Sequence, residues 1–179
     1  MTMEEKTMKC ERVYEGRIIN VRVDTVELPD KKYSKREIVE HPGAVGIIPI
    51  TSDKKIILVK QFRKPVEDIL LEIPAGKIEP KEEPYVCALR ELEEETGFKT
   101  DTVEKLLEFY TTPGFSNEII HIYLAENLKE GIANPDEDEN IDVVELSIEE
   151  AMEKINIGEI KDAKTIVAIL TYFNLYNYK

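Results

Sequence analysis

The chain has 179 residues, 42% of them hydrophobic and 34% charged, and carries a formal net charge of −13. That length supports one domain with a real core plus a small appendage. The acidic balance argues against a nucleic-acid binder, which would carry a basic stripe, and no apolar run approaches the length of a membrane span. The opening residues Met1-Thr2-Met3-Glu4-Glu5-Lys6 lack the apolar stretch of a signal peptide, so a cytoplasmic location is expected. Cys10 and Cys87 form no CxxC pair and are expected to be two reduced thiols.

Residues 1–11 are polar and read as a loose arm. From Arg12 to His41 the pattern is β-like: apolar residues alternate imperfectly from Ile18 to Leu28, Pro29-Asp30 marks a turn, and Lys35 to Glu40 reads as a returning strand. This small antiparallel meander has too little apolar content to stand alone. It either covers its own domain or exchanges with a second subunit. Pro42-Gly43 is a boundary, dividing residues 1–41 from 42–179.

Ala44 to Ile50 is nearly continuous apolar sequence, as in a buried strand. Ser52-Asp53-Lys54-Lys55 reads as a hairpin turn, with Ile56 to Phe62 as the partner strand. Ile69 to Ile73, Lys105 to Thr111, Ile119 to Ala125 and Ile141 to Leu146 follow as further strands. Ser147 and Glu150 form a capping box that opens a helix to about Ile155, ended by Gly158. Asp162 caps a last helix to about Tyr176, apolar enough to expect burial on more than one side. Mixed strands and helices with hairpin-like links indicate α+β with a mixed sheet rather than a doubly wound parallel one.

Between Gly76 and Phe98 lies a glycine-bearing loop, an amphipathic helix and a glycine stop. Pro84 falls in the first helical turn, where a missing N–H costs nothing, and Gly97 is the expected left-handed terminator. Tyr85, Ala88, Leu89 and Leu92 share one flank; Glu91, Glu94 and Glu95 share the opposite one with Glu83 and Arg90. Three carboxylates at i, i+3 and i+4 repel each other unless a cation lies between them. They are either a solvated acidic face or oxygen ligands for a hard divalent cation.

The pattern Gly76, five residues, Glu82, seven residues, Arg90-Glu91-Leu92, one residue, Glu94-Glu95, one residue, Gly97-Phe98 resembles the complete Nudix box. The resemblance implies an α/β/α sandwich with a mixed sheet for residues 42–179, preceded by the β meander as a dimerisation element in a homodimer. It implies Mg²⁺, with Mn²⁺ as the alternative, at two or more ions per site. Glu91, Glu94, Glu95 and the backbone carbonyl of Ala75 match metal-ligand positions. Arg90 and Glu82 match orienting positions, Arg90 counting with Glu95 among the catalytic groups.

Asp136-Glu137-Asp138-Glu139 is by composition an acidic, solvated turn. ADP-ribose pyrophosphatases of this family carry a base and a further ligand in a loop before the last strand. That places Glu137 as the base and Glu139 as the ligand, with Asp136 or Asp138 able to substitute. Pro113, sixteen residues after Gly97, resembles the same group, as do Arg36 to Val45 and Gln61-Phe62-Arg63. Arg36 and Arg63 would supply forked donors for phosphate or ribose oxygens, and Glu118 would take ribose hydroxyls. Each arginine could instead be a surface ion-pair partner. His41 and His121 have no nucleophile partner in sequence and read as structural.

The implied activity is hydrolysis of a small-molecule nucleoside diphosphate sugar, ADP-ribose, to AMP and ribose 5-phosphate. GDP-mannose, NADH or FAD are the alternative substrates, and a non-hydrolysing ADP-ribose sensor is the alternative of another class. Neither nucleic acid nor membrane is an expected partner.

Overall fold

A computed structural model describes residues 3–135 and 140–176. The chain divides into two compact units, residues 1–43 with 109–119, and residues 44–108 with 120–179.

In the first unit β1 (Lys6–Glu15), β2 (Asn20–Glu27) and β3 (Tyr33–Glu40) form an antiparallel sheet in that order. The expected turn between β2 and β3 is present, with Lys31 at φ 66°. The loose arm expected over residues 1–11 is not what the chain builds. Lys6 to Glu11 lies within β1, paired along β2 from Lys6↔Glu27 to Glu15↔Asn20. All ten residues of β1 are exposed. Its strand identity comes from backbone pairing and leaves no apolar alternation to read. The loop 109–119 docks on β3 through Val39 N–H to the Phe115 carbonyl (2.7 Å) and Asn117 N–H to the Val39 carbonyl (3.2 Å).

The second unit centres on β4 (Ala44–Pro49), in a sheet ordered β7 (Ala75–Lys77), β4, β10 (Ile119–Ala125), β9 (Val103–Tyr110). The β4–β10 pair is parallel and the β4–β7 pair antiparallel, so the sheet is mixed. A second sheet orders β12 (Ile141–Ser147), β5 (Lys55–Arg63), β6 (Asp68–Glu72). Two-residue strands β8 (Phe98–Lys99) and β11 (Lys129–Glu130) pair with each other.

The 52–55 turn forms, but β5 is not the hairpin partner of β4. The two strands meet at one bridge, Ile50↔Ile56, and then enter different sheets. β4 from Val45 onward and the 56–59 part of β5 are buried on both faces, with Ile47, Ile48, Ile56, Ile57 and Leu58 fully enclosed. Continuous apolar sequence therefore carries no information on which neighbour each strand takes.

Helix α1 (Pro84–Thr96) starts behind Glu83 with Pro84 in its first turn and ends at Gly97 in the left-handed region, φ 73°. It packs on β4 and β7, burying Cys87, Ala88 and Leu92 with Val45, Ile47, Tyr123 and Ala125. The buried stripe is turned from the expected flank. Tyr85 is exposed and meets Tyr123 edge-on at 6.4 Å, whereas Glu95 and Thr96 are inside.

Gly46 permits close packing on β4, since a Cβ there would overlap Ile73 Cδ1. Helix α2 (Ile148–Asn156) has the expected capping box between Ser147 and Glu150. Helix α3 (Ala163–Tyr176) packs against β4 and α2, completing the α/β/α arrangement. Its burial is narrower than its composition suggests. Thr165, Ala168, Ile169 and Tyr172 form one i, i+3, i+4, i+7 stripe, while Leu170 and Leu175 stay exposed. Among the described residues no helix is long and apolar enough to cross a membrane.

Removing the capping box has a defined cost. Ser147→Ala should lower the unfolding free energy by about 1 kcal/mol, read as a shift in urea midpoint at constant slope. An unchanged midpoint would show that α2 does not depend on its cap.

Candidate functional site

The glycine stop, the proline start and the β7 pairing place one face of α1 over Ala75 and Gly76. Arg90 is the centre of that face. Its Nε and Nη2 donate to the two oxygens of Glu82, at 2.9 and 3.0 Å. Its Nη1 donates to Glu91 Oε1 at 2.7 Å and to Glu94 Oε2 at 2.8 Å. Nη2 also reaches Cys87 Sγ at 3.4 Å. These five contacts match the five N–H donors of a guanidinium. Glu82 accepts a further bond from Glu79 N–H, 3.0 Å. The Arg90 fork, working against partial desolvation, holds the Glu82 carboxyl well down, from 4.5 to about 2. The same contacts raise the Arg90 pKa further.

Two of the three box carboxylates reach from α1 to the strand below. A Cβ on Gly76 would overlap the Glu91 carboxyl group, so glycine is required for that carboxylate to lie against the backbone. Glu95 is 4% exposed and accepts Ala75 N–H at 3.0 Å. Ala75 is thus beside the box, engaging Glu95 through its amide. Among the described residues no three acidic, His or Cys side chains converge as they stand to hold an ion. Arg90 accounts for this physically, since it draws Glu91 and Glu94 to itself. The donor chemistry nevertheless fits a hard divalent cation: carboxylates from one helical face delivered to one backbone segment, with a side-chain-free glycine leaving room.

The remaining predicted residues are placed as follows. Arg63 is not a lone surface group, because its fork grips buried Glu72 through Nε and Nη2, both at 2.8 Å. Arg36, in the first unit, pairs with Glu5, Nε to Oε2 at 2.9 Å. Glu118, also there, accepts the Thr111 hydroxyl at 2.7 Å and lies 3.4 Å from His41 Nδ1. Pro113 follows Thr112, whose carbonyl accepts Phe115 and Ser116 N–H. His41 Nδ1 accepts Gly43 N–H at 3.1 Å. His121 Nδ1 lies 2.9 Å from Glu108 Oε2 but out of hydrogen-bond alignment. Both cysteines are free thiols, Cys10 exposed and Cys87 buried. Glu137 and Glu139, with Asp136 and Asp138, lie outside the described residues. The segment before them is fixed to the end of α1, with Asn134 N–H on the Glu94 carbonyl at 3.0 Å.

Sequence reasoning missed Glu72, Lys164 and Cys87. Glu72 had a visible signal, a charge inside the apolar run Ile69-Leu70-Leu71-Glu72-Ile73. A cavity of about 700 Å³ is lined by Lys60, Phe62, Ile69, Asp142 and Lys161 among others and includes no box residue. The box chemistry lies on α1, not in this cavity.

The NUDIX domain model matches residues 40–167, and the model for the nucleoside diphosphate sugar hydrolase N-terminal domain matches residues 5–39. The chain is 51% identical to the ADP-ribose pyrophosphatase of Bacillus subtilis (strain 168), covering 94% of this chain and 92% of that one. It is 52% identical to the methanol dehydrogenase activator of Bacillus methanolicus, covering 93% and 91%. It is 36% identical to the GDP-mannose pyrophosphatase of Cronobacter sakazakii, covering 75% of each. A solved ADP compounds hydrolase shares the fold, with TM-score 0.87 at 23% identity over 99% of this chain and 97% of that one.

Acid titration tests the Arg90–Glu82 pair. A depressed folded-state pKa gives stability that is present above the unfolded value and lost as pH falls through the folded one. Unfolding free energy should therefore drop between pH 4.5 and about 2 in the native chain. In Glu82→Gln that part of the drop should be missing. Superimposable acid-unfolding curves would remove Glu82 from the network.

Proposed function

The chain belongs to the NUDIX family of diphosphate hydrolases, and from that membership we propose that it cleaves ADP-ribose to AMP and ribose 5-phosphate. The observation that carries this is the whole box set on α1, with Glu91 and Glu95 brought to Gly76 and Ala75. The substrate follows from the strong likeness to an ADP-ribose pyrophosphatase along almost the entire chain. A GDP-mannose pyrophosphatase among the relatives makes GDP-mannose the second substrate to test.

Members of the family generally use divalent metal ions. Mg²⁺ is the proposed ion, two or more per site, with Mn²⁺ as the alternative. Glu91, Glu94, Glu95 and the Ala75 carbonyl would hold them, with Glu139 as a further ligand. The chemistry a bound cation supplies is neutralisation of phosphoryl oxygens and a lowered pKa for a coordinated water.

The protein groups have separate tasks. Arg90 and Glu82 set the carboxylates' rotamers. Glu137 is the proposed base. Arg63 presents forked donors to a phosphoryl group, and Arg36 and Glu118 carry proposed substrate contacts on the first unit. The proposed assembly is a homodimer built through the N-terminal meander, residues 1–41.

Glu95→Gln tests the core of this reading. Glutamine keeps an oxygen to accept Ala75 N–H, so the fold should persist by circular dichroism. AMP release from ADP-ribose should fall by more than about 100-fold, beyond the loss an outer-shell partner causes. Chromatography of products from ADP-ribose, GDP-mannose, NADH and FAD, with Mg²⁺ and with chelator, fixes the substrate. Retained turnover in Glu95→Gln would refute the ligand assignment, and faster release from another diphosphate would replace ADP-ribose.

A further inference from the structure

Arg63 ends β5, and its guanidinium meets Glu72 of β6 edge-on, using Nε and Nη2. Glu72 is 1% exposed. Lys164, in the first turn of α3, donates to Glu72 Oε2 and lies 3.1 Å from Asp162 Oδ1. Asp162 Oδ2 accepts the Thr165 amide at 2.9 Å and its hydroxyl at 2.6 Å. Thr165 Oγ1 in turn accepts Ile73 N–H at 2.9 Å. The bonds form a path from β5 through the start of α3 and back to Ile73, two residues before Ala75.

Two features of this cluster are more than structural glue. First, the edge-on grip uses one N–H from Nε and one from Nη2. The end-on pair, Nη1 with the second Nη2 hydrogen, has the geometry of a bidentate phosphate donor. Arg63 keeps 38% of its side chain exposed. Second, the Glu72 carboxylate is shared. Lys164 donates to the same Oε2 that accepts Arg63 Nη2 and is itself paired with Asp162, so the four groups carry no net charge and Glu72 is held from α3 as well as from β5. Burial works against ionisation of Glu72, but Arg63 and Lys164 outweigh it and hold the carboxyl below its usual range. Glu72, and after it the charges of Glu95 and Asp162, reinforce the ionised Arg63, which places its guanidinium in the field of the box.

We propose that Glu72 and Lys164 are positioning residues acting through Arg63: Glu72 fixes the plane of the guanidinium, and Lys164 holds the Glu72 carboxylate in that orientation from α3, so that the remaining donors of Arg63 face a phosphoryl group. This rests on the reading of Arg63 as a substrate contact.

The test compares Lys164→Gln, Glu72→Gln and Arg63→Lys with the native protein, each checked by thermal unfolding. Steady-state kinetics are run with Mg²⁺ on ADP-ribose and on GDP-mannose. Lys164→Gln should raise KM about fivefold or more with kcat within about twofold, the pattern of lost uniform binding. Added to Arg63→Lys, it should produce little further rise, because both act through one group.

A lowered unfolding temperature in Lys164→Gln and Glu72→Gln with native KM would overturn the proposal and leave a purely structural cluster. So would a KM rise that simply adds to that of Arg63→Lys. If Arg63→Lys itself leaves KM unchanged, or neither diphosphate is turned over by the native protein, the underlying site reading has failed and the inference falls with it.

Discussion

Arg90 is the constraint on which the site depends. Glu91, Glu94 and Glu95 occupy one turn and a half of a helix in a chain with net charge −13. Unscreened, such a turn opposes its own folding. A guanidinium inside the same turn removes the conflict, because its planar donors meet carboxylates at fixed angles. Lysine could supply the charge but not five directed bonds. The compensation is also directional. Arg90 holds Glu91, which lies against Gly76, together with Glu94, while Glu95 turns inward to Ala75. The helix can thus be folded and its carboxylates sorted without a cation. On the proposed ligand set the same contacts set a competition, since a cation would have to win Glu91 and Glu94 from Arg90.

The segment from Glu72 to Gly76 is fixed from several sides. Glu72 is held by Arg63 and Lys164, Ile73 by Thr165, the Pro74 carbonyl by Ile47 N–H, and Ala75 by Glu95. The anchors come from four elements: β5, α3, β4 and α1. A three-residue strand such as β7 has too few ladder bonds to define its own position. Its precision is borrowed from these side-chain and backbone contacts, which is the support a metal or phosphate site requires.

What could be read from sequence follows from which signals are local. The α1 limits were legible because Pro84 and Gly97 act within one turn, and the α2 start because Ser147 and Glu150 cap each other. The partner of β4 was not legible, since a strand buried on both faces has no alternation to orient it. The first part of strand β1, Lys6 to Glu11, was missed because exposed residues pair through backbone alone. The burial of α3 was overestimated because apolar count does not say how many faces have neighbours. At the site, the box residues were legible as a spacing. Lys164 was not, because it meets Glu72 across 92 residues and nothing near Lys164 marks it as inward.

An acidic protein that handles a diphosphate faces a field of the wrong sign. Local charge has to reverse it, and the two arginines near the box contribute differently. Arg90 spends its donors on carboxylates of its own helix, so it adds orientation and no open donor. Arg63 spends only one edge, on a Glu72 carboxylate that Lys164 also holds. The difference between an arginine that organises and one that can attract lies in how many of its donors its own carboxylates take up. The orientation of the donors Arg63 keeps is set in part from α3, an element that no box motif includes.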